Sequence, residues 1–192
     1  MIKFAIALVA VVSTIACVGL NKIESAPAVP APMTENVIIS RILKVPRDVV
    51  WKTWTEPDQI KKWWGPKKYT ATVVKNDLRI GGKYLYSMKS PEGKLLWYTG
   101  IYQDLDIHAR IISTDSFSDE MGNMVPPSTY GMPADMSNVL HLIVTFEEEQ
   151  KGKTTLTIKQ MGMPPGTMIQ MTKAGWNESL DKFEAALKAR KK

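Results

Sequence analysis

The chain has 192 residues, 44% of them hydrophobic and 23% charged, with a formal net charge of +6. That length suits one domain plus an appendage, and the apolar content is enough for a sizeable core. The positive balance does not mark a nucleic-acid binder, because the lysines are spread along the chain and no recognition motif accompanies them. The densest basic cluster, Lys188, Arg190, Lys191 and Lys192, reads as a solvated tail to the last predicted helix.

Lys3 precedes an almost uninterrupted apolar run from Phe4 to Ile15, and small residues follow at Ala16 and Cys17. A charged start, a run of that length and a small-residue site describe a secretory signal peptide over residues 1–17. Thr14-Ile15-Ala16-Cys17 is also similar to the lipobox of bacterial lipoproteins, which would make Cys17 a lipidation site. Ala16 and Cys17 fit that pattern; Thr14 and Ile15 depart from it. The run is short of the about 20 apolar residues that a span needs. Extended through Leu20 it becomes marginal, leaving an uncleaved anchor as the third option. The expectation is an exported protein, periplasmic or held in the cell envelope, with membrane association through the N-terminus. Residues 18–35, with Pro27, Pro30 and Pro32 among small residues, read as a Pro/Ala-rich tether. Residues 36–189 form the expected domain, and since Cys17 is the sole cysteine, that domain has no disulfide and no thiol nucleophile.

Val37, Ile39, Leu43 and Val45 give a first strand with one apolar face. Pro46 can open a helix that places Val50 and Trp54 on one side. Thr55-x-x-Asp58 is a capping-box-like start to a second short helix, whose apolar side is Ile60, Trp63 and Trp64 and whose stop is Gly65-Pro66. Four of the six tryptophans lie in this stretch, at Trp51, Trp54, Trp63 and Trp64. An indole wants burial for its body and a partner for its N–H, so such a wall encloses either a core or a ligand. Trp54 and Trp63 are expected to pack the two short helices against the sheet.

The period then changes to two. Tyr84, Tyr86 and Met88 alternate with polar residues, and Ser90-Pro91-Glu92-Gly93 turns the chain into a return strand carrying Leu96, Tyr98 and Tyr102. Ile111 to Phe117 is another strand. Leu140, Leu142, Val144 and Phe146 alternate before the Lys151-Gly152 turn and a strand with Leu156 and Ile158. Successive hairpins predict an antiparallel sheet with one buried face. After Pro164-Pro165-Gly166, the stripe Ile169, Trp176, Leu180, Phe183, Leu187 predicts a long C-terminal helix laid on that face. The fold class is α+β.

Trp51 to Pro66, Gly81-Gly82-Lys83-Tyr84, Ser90 to Lys94, Asp115 to Asn123 and Gly175 to Phe183, in order, resemble the activator of heat-shock-protein ATPase homologue-like family, of the START/polyketide-cyclase (SRPBCC) superfamily. The resemblance runs from about Asn36 to Leu187. It implies the helix-grip (Bet v-like/START) fold: a curved antiparallel sheet around a long C-terminal helix, two short helices after the first strand, and a cavity that commonly takes hydrophobic small molecules. Two departures stand out. Thr129, in Ser128-Thr129-Tyr130-Gly131, stands where relatives often carry histidine, and Asp106-Ile107-His108-Ala109-Arg110 replaces a Pro-Pro-Glu-Arg-like turn.

On that fold Tyr84, Tyr86, Tyr98, Phe117, Tyr130, Met132, Gln160 and Trp176 are the expected ligand contacts between sheet and helix. Buried phenols need hydroxyl partners, and a ligand or water in a cavity supplies them. Met121, Met124, Met132 and Met136 crowd the long loop from Asp119 to Ser137, giving a flexible apolar lid. His108 is expected at an exposed strand connection and His141 outward from its strand; neither has metal-ligand spacing, so no metal and no cofactor are expected. Asp115, Asp119 and Glu120 are the carboxylates that could serve catalysis, which requires one of them in a dry pocket beside a hydroxyl. The leading expectation is a non-enzymatic, exported module holding a hydrophobic or amphipathic small molecule, with no catalytic residue assigned. The alternatives are a cyclase or hydrolase using those carboxylates, and a chaperone-interacting module presenting an apolar patch.

Overall fold

Every period-two segment becomes a strand, and all the strands join one antiparallel sheet in which each strand from the second onward pairs with the next and the first pairs with the last. The computed structural model describes residues 35–190; the expected signal segment 1–17, Cys17 and the tether as far as residue 34 lie outside the described residues. In chain order the elements are β1 (Glu35–Leu43), α1 (Arg47–Thr55), α2 (Pro57–Trp63), β2 (Thr70–Asn76), β3 (Lys83–Lys89), β4 (Leu95–Asp106), β5 (Arg110–Ser118), β6 (Leu140–Gln150), β7 (Lys153–Met163) and α3 (Thr167–Arg190). The first strand pairs with the last, so α1 and α2 form the crossover between the two edges of the sheet. The sheet curls around α3, which buries Ile169, Trp176, Leu180, Phe183 and Leu187 as its period requires. This is the helix-grip arrangement, α+β in class.

The capping box at Thr55 does not form. Thr55 is the last residue of α1, and its buried hydroxyl donates back to Trp51 O at 2.8 Å. Glu56 takes the N-cap position of α2 and Pro57 its first turn, where a missing N–H leaves nothing unsatisfied. His108 is likewise not a free surface group. It adopts φ +67°, the conformation that lets the β4–β5 turn close, and its half-buried ring meets Trp51 edge-on at 5.6 Å. His141 faces outward, as expected.

The tryptophan wall is chiefly core. Trp63 is 1% exposed, donates from Nε1 to Thr53 O at 2.9 Å, and packs against Trp54 and Phe183 with ring centroids 4.7 and 5.1 Å away. Trp54 in turn stacks on Trp176 of α3 at 6.2 Å. The short helices are thus locked to the long one by aromatic faces.

Two polar ties complete the attachment of α3. Arg41 of β1 donates to Asn177 at 2.7 Å and pairs with Asp181 and Glu184, both at 3.7 Å. Lys182 reaches past the end of α2, where its ammonium lies 2.9 Å from both Gly65 O and Tyr69 O and 3.3 Å from Trp64 O. Carbonyls left over at a helix C-terminus attract a cation, so Lys182 pins the segment from Trp64 to Tyr69 onto α3. Lys182→Met is expected to lower the unfolding free energy by about 1–2 kcal/mol, because half-buried carbonyls lose their charged donor. A urea midpoint equal to the parent's would show that the tie contributes nothing.

Candidate functional site

On β5 the strand period sets Ile111, Ser113, Asp115 and Phe117 on the concave face. Three of them continue the apolar or small-polar lining of the grip; Asp115 is a carboxylate in its midst. Across the sheet, Gly100 of β4 lets the Tyr84 ring of β3 lie flat over the backbone: a Cβ there would come within 2.5 Å of that ring and 2.0 Å of Thr114 O. The Tyr84 hydroxyl consequently reaches Thr114 O at 2.9 Å and Asp115 Oδ1 at 3.0 Å. From β7, Gln160 Nε2 donates to Asp115 Oδ2 at 3.2 Å, and Gln160 Oε1 accepts from Trp176 Nε1 of α3 at 2.8 Å.

The polarity of this chain is fixed from one end. An indole N–H only donates, so Trp176 sets the Gln160 amide with its oxygen toward α3 and its NH2 toward Asp115. Oδ2 must then accept. The other oxygen has two options: ionised, it accepts from Tyr84; protonated, it donates to the Tyr84 oxygen while the phenol proton turns to Thr114 O. Burial disfavours the charged form and pushes Asp115 up to about 6, with the Tyr84 hydrogen bond pulling the other way. Tyr84 and Tyr86 are pushed well above the usual phenol range, mainly by the same burial.

Between this polar floor and α3 lies a cavity of about 260 Å³. Trp64, Tyr98, Phe117 and Trp176 give it aromatic walls; Met132 and Met136 reach in from the β5–β6 connection, and Met168 and Met171 from the start of α3. A second space of about 30 Å³ lies behind the first, among Trp64, Tyr84, Tyr86, Tyr102 and Ser113. It has room for two or three waters, at about 10–15 Å³ each. Trp64 borders both spaces, and its buried indole N–H has no hydrogen-bond partner among the described residues. A donor so placed is open to an acceptor in either space.

Of the eight expected contacts, Tyr98, Phe117, Met132, Gln160 and Trp176 line the cavity. Tyr84 and Tyr86 do not; their rings stack on each other at 4.7 Å and border the smaller space, Tyr84 acting through Asp115. Tyr130 does not line it either: it packs against Phe117 and donates to Ser118 O at 2.6 Å, which braces the wall from outside. The methionine lid is half as large as expected, since Met121 and Met124 are 78% and 55% exposed. Asp119 and Glu120 lie near the solvent, Asp119 closing its own turn by accepting from the Asn123 and Met121 amides. Thr129 is exposed, so the departure there leaves the cavity untouched. Trp64 and the Asp115–Gln160–Trp176 chain are what sequence reasoning missed. The signal for Asp115 was its place two residues before Phe117 on the inward register. Among the described residues no group of His, Asp or Glu could hold a metal ion.

A curled antiparallel sheet gripping a C-terminal helix over an apolar cavity defines a helix-grip protein of the SRPBCC kind. Residues 44–188 match the family described as "Activator of Hsp90 ATPase homolog 1-like protein", and the chain belongs to that family. Solved structures agree on the fold. A Nitrosomonas europaea protein is similar at 26% identity and TM-score 0.65, covering 81% of this chain and 96% of its own. The AHSA1 protein of Silicibacter pomeroyi is similar at 16% identity and TM-score 0.66, covering 81% and 99%. The AHSA1-like protein of Aeromonas hydrophila, at 20% identity, has a TM-score of 0.58 and covers 80% and 93%. No curated protein sequence matches the chain.

Proposed function

We propose that the chain binds a small hydrophobic or amphipathic molecule in the cavity between the sheet and α3. The observation that carries this reading is an apolar space of about 260 Å³ that ends on a satisfied but unneutralised carboxylate, Asp115. Ligand sites have this composition, mostly aromatic and aliphatic with a few convergent polar groups. The volume lies just below the roughly 300 Å³ at which drug-sized sites begin, which favours a ligand of one ring and a short chain. Native mass spectrometry on protein purified from its own host is expected to show a copurifying small molecule. Repeated absence of any adduct, with the cavity filled by its own side chains in a crystal structure, would sink the reading.

A second reading has one observation in its favour. Asp115 is a buried carboxylate beside a phenol, the setting a general acid or base needs. A cyclase or hydrolase working through Asp115 would lose turnover in Asp115→Asn and show a rate profile that bends near pH 6 in the parent. A panel of aryl esters is a direct assay, and turnover indifferent to the substitution removes this reading. The chaperone-interaction reading has less support, since the apolar surface with a defined shape is the cavity. The expectation of export rests on Lys3, the Phe4–Ile15 run and Cys17. Fractionation with palmitate labelling is expected to find the chain outside the cytosol; an unlabelled, cytosolic protein ends that part of the proposal.

A further inference from the structure

We propose that the cavity takes its ligand as a cation, a small hydrophobic amine whose ammonium group sits against Asp115. The inference rests on the binding reading above and adds the chemistry of the occupant.

Asp115 is the one formally charged side chain among the residues lining the cavity. Its hydrogen-bond partners, Tyr84 and Gln160, are neutral. An ionised carboxylate offers about four acceptor sites, and these two donors fill only two of them. Buried carboxylates are ordinarily paired with a cation, and this one has none among the described residues. Two basic groups that pack on α3 are committed elsewhere: Lys182 to the carbonyls after α2, and Arg41 to Asp181 and Glu184.

The remaining walls suit the same occupant. Trp64, Tyr98, Phe117 and Trp176 present π surfaces, which attract an ammonium group and bury its hydrocarbon body equally well. An organic anion would meet Asp115 as a like charge, and no lining Lys, Arg or His offsets it. The net charge of +6 does not decide against a cation, because exposed charges are screened over a Debye length of about 8 Å. Within the cavity the local carboxylate governs.

The groups that face Asp115 are Tyr84 and Tyr86 from β3 and Tyr98 from β4, while β6, β7 and α3 present the neutral Leu140, Gln160 and Trp176. Burial keeps the three phenols protonated, so the charge of the site follows Asp115 alone. Amine binding should therefore strengthen between about pH 5 and pH 8 as the carboxylate ionises, whereas binding of a neutral analogue stays level.

Three probes with one hydrocarbon body separate the outcomes: phenylpropylamine, phenylpropanol and phenylpropionate, titrated by calorimetry with the tryptophan indole N–H resonances as site reporters. At about pH 8 the amine is expected to bind about tenfold or more tighter than the alcohol, and the propionate weakest. Asp115→Asn should bring the amine to within about twofold of the alcohol measured on the same variant. Alcohol or propionate binding as tightly as the amine, or an amine preference that survives Asp115→Asn, overturns the cationic ligand and leaves the cavity reading standing. If none of the three binds at millimolar concentration, the cavity reading fails and the cation with it.

Discussion

Trp63→Ala is expected to bring the domain to the edge of unfolding. The ring is 1% exposed and meets Trp54, Trp64 and Phe183, so its removal opens a hole bounded by rigid aromatic faces that cannot collapse into it. Large aromatic truncations of that kind cost about 3–5 kcal/mol. The lost indole N–H also strands Thr53 O in a buried place, worth roughly 1–3 kcal/mol more. A single domain holds only about 5–15 kcal/mol in reserve. Guanidinium denaturation followed by far-ultraviolet circular dichroism is the measurement. Trp63→Phe is the control: it restores most of the volume but not the hydrogen bond and should lose about 1–3 kcal/mol. A loss below about 1 kcal/mol for the alanine variant would mean the wall is peripheral to stability.

Much of the architecture was legible because it rests on periodicity. Tyr84-Tyr86-Met88, Leu140 to Phe146 and the α3 stripe each encode a buried face, and the residues that carry those faces are buried in the structure. Trp54 and Trp63 are core as expected, but they pack chiefly on Trp176 and Phe183 of α3, with Phe146 of β6 as Trp54's ring contact on the sheet. What failed was local chemistry that depends on a second element. Thr55 reads as a cap until Trp51 O is known to lie within reach of its hydroxyl. Tyr84, Tyr86 and Tyr98 share one inward face in sequence, but only the fold separates Tyr98, at the cavity, from the pair behind it. Asp115 was visible as an acid and invisible as part of a chain, because Gln160 is 45 residues away and meets it only when β7 and β5 flank β6. Trp64 illustrates the converse: grouped with a structural wall, it stands at the cavity with an N–H that has no partner among the described residues.

Asp115→Asn is expected to stabilise the domain, by an amount that grows with pH. In the folded chain the carboxyl is held up to about 6, against about 3.9 when unfolded. Between those values the folded state keeps a proton that the unfolded chain has released, so stability declines as pH rises through the window. Above it the deficit is complete, and a difference of about two pKa steps corresponds to about 3 kcal/mol. Asparagine removes the charge and reproduces the hydrogen bonds of the protonated acid. Its oxygen can accept from Gln160, and its NH2 can donate to the Tyr84 oxygen, whose proton then serves Thr114 O at 2.9 Å. At about pH 8 the variant should unfold some 6–10 °C higher than the parent, and near pH 4 the two should converge. A variant less stable than the parent at high pH would show that the ionised carboxylate is already compensated within the fold, and would remove the premise for an external cation. A stabilising loss of this kind is what a site held for binding predicts: the carboxylate weakens the empty domain, and its charge is of use only to something that enters the cavity.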